Sequence, residues 1–127
     1  MRALLDTQTL LWAALGARNL SVDARAVLED GSNDLFLSAV SAWEIAIKYG
    51  RNLPLDEPPD EYVPYLIARL GLQAFPVEIR HALHVHTLPR IHRDPFDRLL
   101  IAQAQLEDLP ILTNDRNIAR YDVEVIW

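Results

Sequence analysis

The chain has 127 residues and is half hydrophobic, which suits one domain built around one core. It contains no cysteine, so disulfides and thiolate zinc sites are excluded and a reducing cytoplasm is the expected setting. Its net charge of −6 argues against binding nucleic acid through bulk charge.

The opening residues, Met1-Arg2-Ala3-Leu4-Leu5-Asp6, meet a charge too soon for a signal peptide. No apolar run approaches the roughly 20 residues that a membrane span needs. Of the 12 basic residues only Lys48 is lysine. The others are arginines, whose planar fork matches phosphate and carboxylate. Arg90, Arg93, Arg98, Arg116 and Arg120 fall near acidic stretches. A basic rim around an acidic centre is one reading of them, and ordinary surface arginine is the other.

Residues 2–5 form a short apolar run ending at Asp6, expected as a buried first strand. Thr7 or Asp6 can cap a helix holding Leu10, Leu11, Ala13, Ala14 and Leu15, which Gly16 stops. Ser21 caps a second helix with Ala24, Val27 and Leu28 on its apolar face and Gly31 as terminator. Asp34–Ser38 reads as the second strand. A third helix is expected from about Ser41 to Arg51, with Trp43 in the core and Glu44 on the face of Val40 and Ile47. A proline-rich connection over 53–59 leads to a fourth helix near Asp60, in whose first turn or so Pro64 is tolerated. Residues 72–77 are a third strand, and a fifth helix covers roughly 77–85.

The stretch Asp94-Pro95-Phe96-Asp97-Arg98-Leu99-Leu100-Ile101-Ala102 opens a sixth helix. Asp94 suits the N-cap and Pro95 the first helical position. Asp97 falls in the first turn, where the helix dipole stabilises a carboxylate. Leu99, Leu100, Ala102, Ala104 and Leu106 make this helix apolar on most sides. Residues 110–113 are a fourth strand ending at Asn114-Asp115; a short helix and a last strand over 123–126 close the chain. Strands alternating with helices imply βα units: a three-layer α/β/α domain with a largely parallel central sheet. No linker or repeat divides residues 1–127.

In such sheets, binding crevices form at the carboxyl ends of strands that send their helices to opposite faces. Asp6 ends the first strand, Asp115 follows the fourth, and Asp97 and Glu44 open or nearly open helices that can face the same edge. Capping alone accounts for Asp6, Asp94 and Asp115 taken singly, and Glu44 can pair with Lys48 at i+4. Four such coincidences at one edge point elsewhere. Carboxylates gathered in one crevice repel one another unless a cation is present. Oxygen-only ligation favours Mg²⁺ or Mn²⁺, and the natural chemistry is phosphodiester hydrolysis by an activated water.

The motifs Leu4-Leu5-Asp6-Thr7, Ser41-Ala42-Trp43-Glu44-Ile45-Ala46-Ile47-Lys48, Asp94–Ala102 and Leu112-Thr113-Asn114-Asp115 lie in order from one end of the chain to the other. In these the sequence resembles PIN-domain ribonucleases, specifically the VapC-type toxins of toxin–antitoxin pairs. The resemblance implies a metal-dependent endoribonuclease in which Asp6, Glu44, Asp97 and Asp115 form the acidic quartet. Asp6 and Asp97 are then the firmest ligands of Mg²⁺ or Mn²⁺, Glu44 completes the shell directly or through water, and Asp115 binds or orients a second ion. Thr113 and Asn114 become supporting polar residues, and Arg93, Arg98 and Arg116 candidate contacts to RNA phosphates. The resemblance also implies a cognate antitoxin that blocks the crevice with a basic side chain, and a homodimer. Helices 22–30 and 60–70 are candidate surfaces for those contacts.

Two other function classes fit the sequence less well. Phosphoryl transfer through an aspartyl phosphate needs an Asp two residues after Asp6 or a clustered acid pair, and an essential late lysine; the chain has Gln8 at the former place and Lys48 as its one lysine, which disfavours it. A non-catalytic PIN-like binding module is disfavoured by the intact quartet. A zinc site on His81, His84 and His86 is disfavoured because positions 84 and 86 diverge by about 200° on a helix.

Overall fold

The structure is a computed structural model and describes residues 1–16 and 18–127. Five strands form one parallel sheet in the order β3-β2-β1-β4-β5. They are β1 (Arg2–Leu5), β2 (Asp34–Ser38), β3 (Gln73–Phe75), β4 (Ile111–Leu112) and β5 (Val125–Ile126). Among the described residues the six α-helices are α1 (Thr7–Leu15), α2 (Val22–Glu29), α3 (Ala39–Lys48), α4 (Pro59–Leu70), α5 (Ile79–His84) and α6 (Pro95–Glu107). Among the described residues, no helix is long and apolar enough to cross a membrane.

The strands are apolar because both of their faces are covered. Ala3, Leu5, Leu35, Leu37 and Leu112 point into one core, with Leu10, Ala14, Ala24, Ile45, Val63 and Leu66 from α1 to α4. Leu4, Phe36 and Ile111 alternate with them and enter the other core, with Leu100, Ile101, Ala104, Ile118 and Tyr121. A side-chain period of two therefore feeds two helical layers from one sheet. This is the three-layer α/β/α arrangement expected from the alternation of elements.

Local chemistry sets the element ends. Gly16 closes α1 at φ 61°, a left-handed conformation that glycine adopts without penalty. Asp94 caps α6 by accepting from the Phe96 and Asp97 amides at 2.9 and 3.1 Å. Its body is buried along Leu100–Ala104, as its compact apolar run requires.

Some boundaries differ from the sequence expectation. α3 begins at Ala39 rather than Ser41, because Ser38 ends β2 and caps the helix itself, its Oγ accepting from the Val40 amide at 3.0 Å. It ends at Lys48 rather than Arg51, where Tyr49 leaves the helical conformation and Gly50 turns at φ 78°. Pro64 is the sixth residue of α4, beyond the first turn, and sits on its exposed side. α5 is shorter than expected and runs into a 3₁₀ turn over Val85–Thr87.

Trp43 was expected in the core but is 51% exposed, with Ile47 also largely exposed. On α3 the buried positions are Val40, Ser41, Glu44 and Ile45. Trp43 is two residues from both Ser41 and Ile45, about 200° around the helix from each. Its ring instead meets the edge of Phe96, centroid to centroid 4.8 Å.

Gln103 on α6 is fully buried and ties this helix to the end of β2. Its Oε1 accepts from Ser38 Oγ at 2.5 Å, and its Nε2 donates to the Pro76 carbonyl at 3.1 Å. The pairing fastens the third turn of α6 to the carboxyl end of β2.

Candidate active site

β1 passes to α1 on one face, and β4 passes to the 3₁₀ turn Ile118–Arg120 on the other. Helices diverge between these two adjacent strands, which leaves a crevice at their carboxyl ends. A cavity of about 350 Å³ occupies it, lined by Asp6, Glu44, Asp94, Asp97 and Asp115 together with Thr7, Gln8, Lys48 and Asn52. All four acids predicted from the sequence are therefore brought to one place.

Each is held by a defined set of donors. Asp6 Oδ1 accepts from the Thr9 amide at 2.7 Å, capping α1, while its Oδ2 accepts from Thr113 Oγ1. The same Thr113 oxygen accepts from the Asp115 amide at 3.0 Å. One hydroxyl thus ties the ends of β1 and β4 together. Asp115 Oδ1 accepts from the Asn117 amide at 2.7 Å, so it caps the turn that follows. Glu44 Oε1 accepts from Thr7 Oγ1 at 2.7 Å, with Ser41 Oγ 3.0 Å from the same hydroxyl. Its Oε2 accepts from Lys48. Asp97 Oδ2 faces His92 Nε2 at 3.0 Å.

The electrostatics are those of crowded, half-buried acids. Burial pushes Asp97 up from 3.8 to about 6, with Asp94 and Asp115 adding to the rise and the His92 bond opposing it. Asp6 is also raised, first by burial; the Thr113 and Thr9 bonds counter it, and Asp115 adds to it. Lys48 is raised, chiefly by its bond to Glu44, with Asp94 and Asp97 contributing. Negative charge here is costly, and a cation relieves it.

The supporting residues divide. Thr113 touches both Asp6 and Asp115. Asn114 is exposed and does not line the cavity. Arg93 and Arg116 are exposed and adjoin Asp94 and Asp115 in the chain. Arg98 is turned inward: its guanidinium donates to the Pro89 carbonyl at 2.8 Å and to the Tyr121 hydroxyl at 3.1 Å.

A second group lies away from the cavity. Among the described residues, the ligand atoms of Glu78, His81 and Glu107 fall within 4.8 Å of one another. Arg80 already donates to both glutamates and supplies their countercharge. His81 is buried, pushed down by burial and by Arg80. His84 bonds instead to Gln105 at 2.8 Å.

A family model for the PIN domain matches residues 3–124. The chain belongs to the PIN-domain family. Over 63 residues this PIN domain is 43% identical to Ribonuclease VapC16 of Mycobacterium tuberculosis, a match covering 49% of this chain and 45% of that protein. It thus spans less than half the length of this curated relative. Solved structures share the PIN fold at low identity. A chain of VapBC2 from Rickettsia felis, bound to a DNA fragment from its promoter, superposes with a TM-score of 0.75 at 14% identity, covering 100% of this chain and 99% of that one. DNA-bound VapBC from Salmonella typhimurium gives 0.69 at 16%, over 99% and 97%. FitAcB from Neisseria gonorrhoeae gives 0.61 at 21%, over 100% and 97%.

Sequence reasoning missed several residues of this PIN domain's crevice. Sequence pattern marks Ser41 as a helix start and motif residue and Thr7 as a cap and motif residue; it does not show that Thr7 Oγ1 lies against both Glu44 and Ser41. His92 meets Asp97 from 5 positions away, and Tyr121 meets His92 from 29. No local pattern announces such partners; only the fold brings them together.

Proposed function

We propose that this chain is a Mg²⁺- or Mn²⁺-dependent endoribonuclease, a single PIN domain over residues 1–127 that acts as the toxin of a toxin–antitoxin pair in the cytoplasm. The observation that carries the reading is the gathering of Asp6, Glu44, Asp97 and Asp115 around one cavity, with Asp6 and Asp97 both pushed up in pKa. The partial likeness to a ribonuclease and the fold shared with VapBC chains support it.

The donor set fits a hard divalent ion, since it offers carboxylate oxygens and no sulfur or imidazole directed into the cavity. Asp6 and Asp97 would hold the ion, with Asp115 and Glu44 completing the acidic wall. When bound, such an ion neutralises the crowded charge and makes a water acidic enough to attack a phosphodiester at neutral pH. The chain's own contribution is positional. Thr113 orients Asp6 and fixes the Asp115 loop; Thr7 and Lys48 hold Glu44; Asp94 fixes the first turn that carries Asp97. Exposed Arg93 and Arg116 would contact flanking phosphates, as forks suited to that geometry. A cognate antitoxin would cover the crevice with a basic side chain, and the functional unit would be a homodimer.

The test is direct. Purified protein free of partner is mixed with structured RNA and Mg²⁺ or Mn²⁺, with and without chelator. Cleavage that chelator abolishes, and that is absent in folded Asp6→Asn and Asp97→Asn, is expected. Cleavage surviving in both variants overturns the assignment. Phosphate release from a small monoester without RNA cutting points instead to phosphoryl transfer.

A further inference from the structure

Asp97 does not stand alone in the first turn of α6. We propose that His92, locked in one tautomer by Tyr121, is a positioning residue that fixes one oxygen of Asp97 and leaves the other for a divalent ion. The inference rests on the ion-dependent reading above, and it concerns residues that no motif in the sequence singled out.

The donors and acceptors around the Tyr121 hydroxyl admit one assignment. Tyr121 is buried. Its hydroxyl oxygen faces two obligatory donors: Arg98 Nη1 at 3.1 Å and the His92 backbone N–H at 3.3 Å. Neither donor can act as acceptor. Both lone pairs of the phenol oxygen are thereby used, and its own proton has one place to go, His92 Nδ1 at 2.7 Å. An Nδ1 that accepts leaves the ring proton on Nε2 in the neutral imidazole. That N–H donates to Asp97 Oδ2 at 3.0 Å. Oδ1 receives no hydrogen bond from the described residues, and Asp97 lines the cavity.

Arg98 is the anchor of this chain of bonds. Its other donors reach the carbonyls of Pro89 at 2.8 Å and Leu88 at 3.4 Å, so the cation holds the loop that carries His92 while orienting the tyrosine hydroxyl. The guanidinium does not titrate in the accessible range, which makes it a constant reference for the protons beyond it. Three elements converge here: the loop before α6, α6 itself, and the residue that follows the 3₁₀ turn Ile118–Arg120. The arrangement parallels a general rule for metal sites, in which partners of a ligand fix its orientation and their loss costs about 10- to 100-fold in metal affinity or activity.

The alternative is a staple that merely fastens residues 88–92 to α6. Tyr121→Phe separates the two, because it keeps the buried ring and removes only the hydroxyl. In the chelated wild-type protein, ¹⁵N-resolved imidazole spectra should show His92 in the Nε2-protonated tautomer. In Tyr121→Phe they should show a mixture. Mn²⁺ titration followed by electron paramagnetic resonance should weaken about tenfold in Tyr121→Phe and further in His92→Phe. His92→Gln, whose amide can still donate to Asp97, should recover part of the loss. Variants that lose thermal stability yet bind Mn²⁺ within twofold of wild type, with an unchanged tautomer, overturn the inference and leave the staple. A wild-type protein that takes up no Mn²⁺ overturns the ion-dependent reading itself, and this inference with it.

Discussion

Replacing Asp97 by asparagine should stabilise the metal-free protein while destroying its proposed activity. The carboxyl ionises near 3.8 in an unfolded chain and is raised to about 6 in the folded one. Between those values the folded state keeps a proton that the unfolded state has lost, so stability falls as pH rises through the window, and the cost is complete above it. At about 1.4 kcal/mol per pH unit, the ionised side chain costs the fold about 3 kcal/mol at neutral pH. Asparagine has no charge to bury. Its Oδ1 still accepts from His92, and the stronger bond of the charged form is already contained in the shift, since that bond opposes the rise. The net gain is about 3 kcal/mol, or roughly 9–15 °C in Tm for a domain of this size.

The assay is urea or thermal unfolding in chelator across pH 4–8. Asp6 shifts in the same direction as Asp97 and His81 in the opposite one, so the quantity to follow is the difference between wild type and Asp97→Asn. That difference should open between pH 4 and 6 and stay constant above. Saturating Mn²⁺ should then reverse the order, because an ion at about 1,000 times its Kd adds about 4.1 kcal/mol to the wild type and far less to the variant. An asparagine variant that is less stable than wild type in chelator at pH 7.5 refutes the electrostatic account.

Lys48→Met should lower Tm in chelator and yet tighten Mn²⁺ binding roughly five- to tenfold, because about 1 kcal/mol of repulsion between ammonium and ion disappears and Glu44 is released; calorimetric titration checks it, and weaker binding would contradict it. Thr113→Val deprives Asp6 of a donor and the Asp115 amide of its acceptor, so stability should fall by about 1–3 kcal/mol and RNA cleavage by more than tenfold, read by unfolding and gel assay. Gln103→Leu leaves the Ser38 hydroxyl and the Pro76 carbonyl without their partner and should cost about 2–3 kcal/mol in denaturant unfolding.

The sequence carries the acids of this site legibly because they stand at transitions it marks strongly. Asp6 follows an apolar run, Asp115 follows another, and Asp97 lies three residues past an Asp-Pro helix start. What one dimension obscures is that capping and ion binding are not rival explanations. Asp6 caps α1 with Oδ1 and meets Thr113 with Oδ2; Asp115 caps the next turn with one oxygen and lines the cavity. A carboxylate has two oxygens and about four acceptor sites, so one cap leaves most of its capacity unspent. The partners stayed illegible for the opposite reason. Thr7 and Glu44 are 37 positions apart, and His92 and Tyr121 are 29 apart; periodicity names the face a residue shares and never the partner across it. Trp43 shows the same limit from the apolar side. Its chemistry says core, but the helix phase is set by Val40, Ser41, Glu44 and Ile45 turning inward, and Trp43 is carried outward with Phe96 beside it. Lys48 ties the two halves together, since its ammonium reaches Glu44 in the cavity and lies 5.7 Å from the Phe96 ring centroid. In the metal-free state Lys48 thus supplies a countercharge to Glu44, while Asp6 and Asp97 stay raised by burial.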